Sequence, residues 1–208
     1  VGSEMCIRDR TSSRNKAAWN SRFGTDEKWL STTQRELSEI GFHGTGAFCT
    51  GTYSLIQIHN ASNPSSPLTL APSFAFLSQF KSEKSYNYPG GSDDNAAGLV
   101  FYNGWAEWCD SYLAGSAFAD YLRDPNVLGF FSDNEINFSS NSSRILDRFL
   151  AINSSNDPAY VAAKGFMDSK GVQSVTDALN NEFAGIVAEK YYKAVKLSLI
   201  HISEPTRH

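Results

Sequence analysis

Apolar side chains recur at three- and four-residue steps through much of the second half of the chain. This spacing puts them on one face of a helix, and it predicts helices over residues 104–122, 144–152, 158–169 and 175–196. The apolar face of the last predicted helix consists of Leu179, Phe183, Ile186, Val187, Tyr191 and Val195.

The periodicity of apolar residues is weaker in the N-terminal part of the chain. Residues 11–28 are polar and predict a loop. Two overlapping capping boxes, Ser31 with Gln34 and Thr33 with Glu36, predict that a short helix follows. Leu37 and Ile40 should lie on its buried face. Gly41 is the expected stop signal, because glycine readily adopts the left-handed backbone that ends many helices.

Short apolar stretches predict strands. Residues 41–48 indicate a turn and a short strand, and residues 68–77 are a second candidate in which Pro72 argues against a regular central strand. Residues 127–131 form an uninterrupted apolar run, which is typical of a parallel strand buried on both faces. Because short strands alternate with helices, we expect an α/β protein with a parallel sheet.

The two ends of the chain are related as reverse complements at the DNA level. Residues 5–9 can be encoded as ATG TGT ATA AGA GAC, and the opposite strand, extended by CT, encodes residues 197–201. This relation resembles a translated adapter of the kind used to tag DNA for sequencing. We therefore expect residues 1–10 and 197–208 to be foreign, as fusion scars are, and residues 11–196 to be an internal piece of a longer protein.

Composition narrows the possible partners. The formal net charge is −4 and no basic block is present, which argues against nucleic acid. No apolar run approaches the roughly 18 residues that a membrane-spanning helix needs, so we expect no membrane insertion. Cys49 and Cys109 lie far apart and make no disulfide framework. Aromatic residues form 13% of the chain, which suits a large core or a cleft that stacks on sugars.

The polar cluster Asp133-Asn134-Glu135 follows the apolar run and carries the main candidate chemistry. Active sites of α/β folds lie at the carboxyl ends of parallel strands. A carboxylic acid there can protonate a departing glycosidic oxygen, and a neighbouring amide can hold a sugar hydroxyl. The alternative is a helix N-cap, in which Asp133 or Asn134 caps a following turn. By spacing alone, the N-cap is the stronger interpretation.

Longer segments add a resemblance to a known family. DPNVLGFFSDNEI, residues 124–136, resembles the fourth-strand segment of glycoside hydrolase clan A, the retaining (β/α)8-barrel enzymes. The likeness is to agarase-like and family 42 β-galactosidase-like members, and it is specific over residues 129–136. Residues 41–48 resemble the start of such barrels. Residues 148–171 and 183–195 resemble the helices that follow the acid/base strand.

The resemblance implies a partial (β/α)8 TIM barrel, roughly its first half, with parallel strands and outer helices. It implies that Glu135 is the general acid/base, that Asn134 contacts the sugar 2-hydroxyl, and that Asp133 lines the substrate site. The substrate it implies is a galactose-containing polysaccharide such as agarose or a similar galactan. No position matches the second, nucleophilic Glu, and His43 stands where many relatives carry Asn.

Aromatic residues outside the motif are further candidates. Tyr86 and Tyr88 lie in a long polar stretch, residues 81–98, and we expect them to offer a platform for sugar rings. Trp105 and Trp108 have helical spacing and apolar neighbours, so we expect them in the core. Asp93 and Asp94, in the same stretch, are an exposed acidic loop or, less commonly, a cation site.

Two other functions stay open at this point. One is a barrel that binds carbohydrate without cleaving it, and the other is a metal-dependent hydrolase that uses Asp133 and Glu135 as ligands. The main expectation remains a glycosidase with a carbohydrate substrate, no cofactor and no metal. We expect the longer protein to be secreted or periplasmic, and the chain alone to be inactive.

Overall fold

The computed structural model describes four stretches of the chain, residues 13–47, 53–84, 93–138 and 144–203. The chain divides into two compact units, which are described separately. The first consists of Val1–Ser73 with Pro125–Phe130, and the second of Phe74–Asp124 with Phe131–His208.

The first unit opens with helix α1 (Ser13–Arg22), where the polar composition predicts a loop. That prediction is wrong. Trp19 and Phe23 are buried, at 7% exposure each, and their rings lie 6.0 Å apart. Two aromatic residues four positions apart are enough to fix a short helix on a core, although they form too short a stripe to stand out in a polar sequence.

Helix α2 (Asp26–Ser38) begins earlier than the capping boxes predict. Thr25 is its N-cap, and the Thr25 hydroxyl oxygen accepts a hydrogen bond from the Lys28 N–H at 3.2 Å. Ser31 therefore lies inside the helix. Threonine, like serine, is a favoured N-cap residue whose hydroxyl accepts a free N–H at the helix start, so both positions were chemically suitable.

The predicted end of α2 is confirmed, but its predicted buried face is not. Gly41 has φ +91° and donates its N–H to the Ser38 carbonyl at 3.0 Å. Leu37 is half-buried, whereas Ile40 is 69% exposed. Ile40 lies beyond the last helical residue, so helical periodicity no longer governs its direction.

A small parallel sheet follows, formed by β1 (Gly44–Thr45) and β2 (Thr69–Leu70) on either side of α3 (Tyr53–Ser62). A Cβ added at Gly44 would lie 2.1 Å from the Thr69 hydroxyl oxygen, so the pairing requires glycine there. Leu70 forms a further parallel bridge with Val127. Strands within residues 41–48 and 68–77 are therefore confirmed, as is their parallel pairing.

The prediction of a strand buried on both faces over residues 127–131 is wrong. Leu128 is 77% exposed and Phe131 is 50% exposed. Within this run only Val127 forms a bridge and only Phe131 begins a strand. Burial on both faces requires layers that cover both sides of a sheet, and strands of two residues provide no such sheet.

The second unit is mostly helical. Its short strands β3 (Ser73–Phe74, which begins at the last residue of the first unit) and β4 (Phe131–Ser132) form a second two-stranded sheet. Its helices are α4 (Phe76–Glu83), a 3-10 helix (Asp93–Phe101), α5 (Trp105–Ala114), α6 (Ser116–Arg123), α7 (Ile145–Leu150), α8 (Pro158–Lys170) and α9 (Asp177–Ser203).

The helices predicted from periodicity are largely confirmed in this unit. The expected helix over residues 104–122 is split into α5 and α6 at Gly115, whose backbone is extended. The polar stretch 81–98 is not a continuous loop, because it contains the end of α4 and most of the 3-10 helix. The buried face of α9 includes Phe183, Val187, Tyr191, Ala194 and Val195.

The described residues thus form a mostly helical α/β structure with short parallel strands. Among these residues, no helix combines the length and the apolar character needed to cross a bilayer.

Candidate functional site

The cluster Asp133-Asn134-Glu135 directly follows β4 in the second unit. Asp133 has φ +48° and Glu135 has φ +50°, and elsewhere in the described chain positive φ is found at glycines. A left-handed backbone costs an L-residue roughly 1–2 kcal/mol. Such residues persist only where the surrounding contacts hold them, and they concentrate at functional sites.

The contacts that hold this turn converge on Asp133. Its backbone N–H donates to the Phe74 carbonyl at 2.6 Å. Its carboxylate oxygens accept from the Leu77 N–H, at 3.2 and 3.3 Å, and from the Tyr191 hydroxyl, at 2.6 Å. Asp133 therefore joins β4 to α4 and α9.

The bond to Leu77 caps helix α4 from a distant part of the chain. Ala75 occupies the N-cap of α4 and provides no side-chain hydrogen bond. Leu77 is the second residue of the helix, and its N–H would otherwise lack an intrahelical partner. The Asp133 carboxylate, 56 residues away in sequence, accepts that N–H. A negative charge there also interacts favourably with the helix dipole.

An aromatic cluster packs around Tyr191. The Tyr191 and Trp105 rings are stacked at 6.0 Å, and Trp105 and Trp108 are stacked at 6.1 Å. The Trp108 ring also stacks on Tyr112 at 4.6 Å, and its Nε1 donates to Glu83 at 2.7 Å. Trp105 and Trp108 are 4% and 5% exposed, which confirms their assignment to the core.

Burial dominates the electrostatics of this cluster. It raises the pKa of Asp133, while hydrogen bonds from Tyr191 and from the Leu77 and Phe76 backbone act in the opposite direction. Burial, with the nearby Asp133 charge, raises the pKa of Tyr191 well above its usual value. Burial and the same charge raise the pKa of Tyr112 to about 12. Both phenols therefore keep their protons at neutral pH.

Asn134 and Glu135 project differently from Asp133. Both side chains are exposed, and neither forms a hydrogen bond or ion pair with a described residue. The left-handed turn thus separates an anchored carboxylate, Asp133, from an amide and a carboxylate that face solvent. Sequence spacing alone could not distinguish the two acids.

The alternative N-cap interpretation is half right. Asp133 does cap a helix, but it is α4, which precedes it in sequence, and not a turn that follows it. The described residues that follow the cluster, 136–138, form no helix. Asn134 caps nothing in the described structure, which leaves its amide available for other contacts.

The structure describes the remaining candidate residues only in part. Tyr86 and Tyr88 lie outside the described residues. His43 belongs to the first unit, where its carbonyl accepts the Thr69 N–H at 3.0 Å and its side chain is exposed. Asp93 begins the 3-10 helix.

Among the described residues, no three His, Cys, Asp or Glu side chains are grouped as metal ligands would be. Both Asp133 oxygens already accept hydrogen bonds from protein groups. Asp133 is therefore poorly placed to be a ligand in a metal-dependent hydrolase.

Tyr191 is the residue of this site that sequence reasoning assigned only to a helix face. The sequence did contain a sign of this role. A tyrosine on the apolar face of a helix has a hydroxyl group that needs a hydrogen-bond partner when it is buried. The partner lies 58 residues away, so the stripe alone could not identify it.

Comparison with known proteins gives one informative finding. No family model and no curated protein matches the chain. The crystal structure of BpGH50, a glycoside hydrolase family 50 protein, matches with 48% sequence identity and a TM-score of 0.83. The match covers 88% of this chain and 41% of that chain. It supports a glycosidase, and it points to family 50 without singling out clan A or family 42.

Proposed function

We propose that the chain is part of a retaining glycoside hydrolase in which Glu135 is the general acid/base. The observation that carries the proposal is the 48% identity to BpGH50 over 88% of the chain. The solvent-facing Glu135 carboxylate, on a left-handed backbone directly after β4, is a fitting place for an acid that must reach a bound sugar.

The proposed chemistry assigns Glu135 two roles. In the first step, a second carboxylate attacks the anomeric carbon and the glycosidic C–O bond breaks, while Glu135 gives its proton to the departing oxygen. In the second step, Glu135 takes a proton from water, whose oxygen displaces the enzyme carboxylate. The proton that Glu135 loses in the first step is regained from water in the second, and the enzyme carboxylate is released as the sugar–oxygen bond to water forms. The second carboxylate belongs to a part of the protein outside this chain.

The substrate contacts are proposed as follows. Asn134 holds a sugar hydroxyl, where a hydrogen bond that tightens in the transition state assists cleavage. Tyr86 and Tyr88 provide a stacking platform. Because the Asp133 oxygens accept protein hydrogen bonds, we propose a different role for that residue below.

The architecture and substrate are proposals of the same kind. The parallel pairing of β1 with β2, and of Leu70 with Val127, supports the first part of a (β/α)8 barrel. The resemblance of residues 124–136 to agarase-like enzymes supports an agarose- or galactan-like polysaccharide. Such polymers are too large to enter a cell, so we propose a secreted or periplasmic enzyme.

The boundaries of the natural sequence also stay a proposal. We propose that residues 1–10 and 197–208 derive from adapter DNA. Helix α9 continues to Ser203 and thus runs into the second of these segments. A helix extends readily through apolar residues of any origin, so this continuity leaves the proposal as it stands.

The decisive experiment replaces Glu135 in the longer protein. Glu135→Ala should lower turnover of glycosides with poor leaving groups by about 10²–10⁴-fold, the usual contribution of general acid catalysis. Activated aryl glycosides need less protonation of the leaving group and should be affected less. Added azide should restore turnover of the aryl substrates by replacing the water that Glu135 activates.

A matched control is Glu182→Ala, which removes an exposed carboxylate that pairs with Lys170 at 2.6 Å on the surface. It should leave both activities near the parent value. Equal activity of Glu135→Ala and the parent protein on both substrates would overturn the assignment and favour a barrel that only binds carbohydrate.

A further inference from the structure

We propose that Asp133 and Tyr191 act together as positioning residues that fix the Asn134-Glu135 backbone for catalysis. This inference rests on the proposed function, because it concerns the placement of the same acid. It assigns to Asp133 an internal role in place of contact with the sugar.

The first argument is the backbone itself. Asp133 and Glu135 have left-handed backbones, which two non-glycine residues so close together do not adopt without external restraint. Asn134 and Glu135 form no side-chain hydrogen bond with described residues that could supply this restraint. The Asp133 N–H and carboxylate make the contacts that hold the turn.

The second argument is the rigidity of what Asp133 is bound to. Leu77 lies in the first turn of α4, where its N–H has a fixed direction. Tyr191 is 0% exposed on α9 and its ring is stacked on Trp105. The two anchors belong to different helices, 56 residues before and 58 residues after Asp133 in sequence, so two separate elements hold the carboxylate. Such a supported side chain sets the position of its neighbours within narrow limits.

The third argument is chemical fit. Asp133 faces donors on two elements, the backbone N–H groups of Phe76 and Leu77 on α4 and the Tyr191 hydroxyl on α9. A carboxylate accepts from both, whereas an amide would turn an NH2 group towards one of them. The raised pKa of Tyr191 keeps its hydroxyl protonated, so it remains a donor over the whole range in which the enzyme would work. The arrangement thus requires an acid that accepts hydrogen bonds and is not free to bind substrate.

The test uses three variants of the longer protein, Tyr191→Phe, Asp133→Asn and Tyr192→Phe. Tyr191→Phe keeps the ring and removes the hydroxyl. Tyr192→Phe is the matched control, because Tyr192 is the next residue on α9, is 53% exposed and has no hydrogen bond to Asp133. Kinetics are measured on a glycoside with a poor leaving group and on an activated aryl glycoside, in the parent and in a Glu135→Ala background.

If Asp133 and Tyr191 act by placing Glu135, the first two variants should lower kcat on the poor leaving group by roughly ten- to a hundredfold, with little change in KM. The aryl glycoside should be affected less. In the Glu135→Ala background, Tyr191→Phe should have no further effect, because residues that act as a unit are strongly non-additive. Tyr192→Phe should behave as the parent.

Three outcomes would overturn the inference. One is an equal loss on both substrates, and another is the same loss in the Glu135→Ala background, since either would mean that the variants only reduce the folded fraction. The third is a raised KM with unchanged kcat for Asp133→Asn, which is what loss of a substrate contact produces. If instead Glu135→Ala alone has no effect, the proposed function fails first, and the two failures are thereby distinguished.

Discussion

At Asp133 two physical effects oppose each other. Burial disfavours its negative charge, while hydrogen bonds from Tyr191 and from the backbone of Leu77 and Phe76 favour it. The pKa of Asp133 is raised, so burial is the stronger of the two. The residue is therefore held in place by good geometry at an electrostatic cost, a combination common at functional sites.

This cost leads to a prediction about pH. Because the folded pKa lies above the ordinary value of 3.8, the folded state binds the proton more tightly than the unfolded state does. The stabilisation that the protonated Asp133 side chain gives the folded state is therefore complete below pH 3.8. It is lost as the pH rises through the pKa of Asp133 in the folded protein. The destabilisation caused by Asp133→Asn, measured by urea unfolding, should therefore shrink as the pH is raised from below 3.8.

Asp120→Asn is a suitable control for this pH series. Asp120 is an exposed residue of α6, so the variant reports the general effect of removing one negative charge. A destabilisation by Asp133→Asn that grows with pH, once corrected by this control, would mean that the pKa of Asp133 is lowered on folding.

Sequence reasoning reached part of this site. The sequence placed the polar cluster at the end of a strand, and Asp133 does directly follow β4, because an apolar run that ends in acids is visible locally. Which of the two acids is anchored was not predictable, since the anchors Leu77 and Tyr191 lie more than 50 residues away. The φ angles of Asp133 and Glu135 also have no local signal, because neither is a glycine.

At the scale of single elements, helix α8 shows how one residue joins two segments. Asp157 is its N-cap and accepts from the N–H groups of Ala159 at 2.8 Å and Tyr160 at 3.3 Å. Its other oxygen accepts from the Tyr102 hydroxyl at 2.5 Å. Pro158 at the first helical position has no N–H to satisfy, which suits a helix start.

We predict that Asp157→Ala destabilises the protein by about 2–3 kcal/mol, because a cap contributes roughly 1 kcal/mol and the Tyr102 hydroxyl loses a buried partner. Asp168→Ala is the matched control, since Asp168 lies on the same helix, is exposed and pairs with Lys164 at the surface. That variant should stay within about 0.5 kcal/mol of the parent in chemical denaturation. Equal effects of the two variants would contradict a capping role for Asp157.

Helices were predictable where apolar residues recur at helical spacing. The helices α8 and α9 repeat their apolar residues over several turns, and the shorter α7 is apolar at Ile145, Leu146 and Phe149; the start of each was located within two residues. Helix α1 was missed because the buried side chains described in it and directly after it are just Trp19 and Phe23, which form too short an apolar pattern. The break at Gly115 was missed because the apolar pattern continues across it, whereas the helical backbone is interrupted there by an extended residue.

At the scale of the whole molecule, the chain spans 41% of the matched BpGH50 chain. A retaining mechanism needs two carboxyl groups about 5 Å apart, and we assign one of them, Glu135, to this chain. We therefore predict that the 208-residue chain alone has no glycosidase turnover, whereas the longer protein does. Hydrolysis that rises in proportion to the concentration of the purified chain would contradict this prediction.

A related prediction about the second carboxylate can be checked by DNA sequencing alone. On the proposal that the natural sequence here runs to residue 196, extending its reading frame in the parent gene should reveal a Glu at the end of a later predicted strand. A frame that continues through a full barrel without such a Glu would favour carbohydrate binding without cleavage.

The distant anchoring of Asp133 has a consequence for protein engineering. The tripeptide Asp-Asn-Glu cannot be moved as a loop into another scaffold and be expected to keep its shape, because the loop does not determine its own conformation. A functional transplant would have to include the first turn of α4 and a buried phenol at the position of Tyr191. The smallest transferable unit therefore consists of three segments that are distant in sequence: the tripeptide, the first turn of α4 and the part of α9 that carries Tyr191.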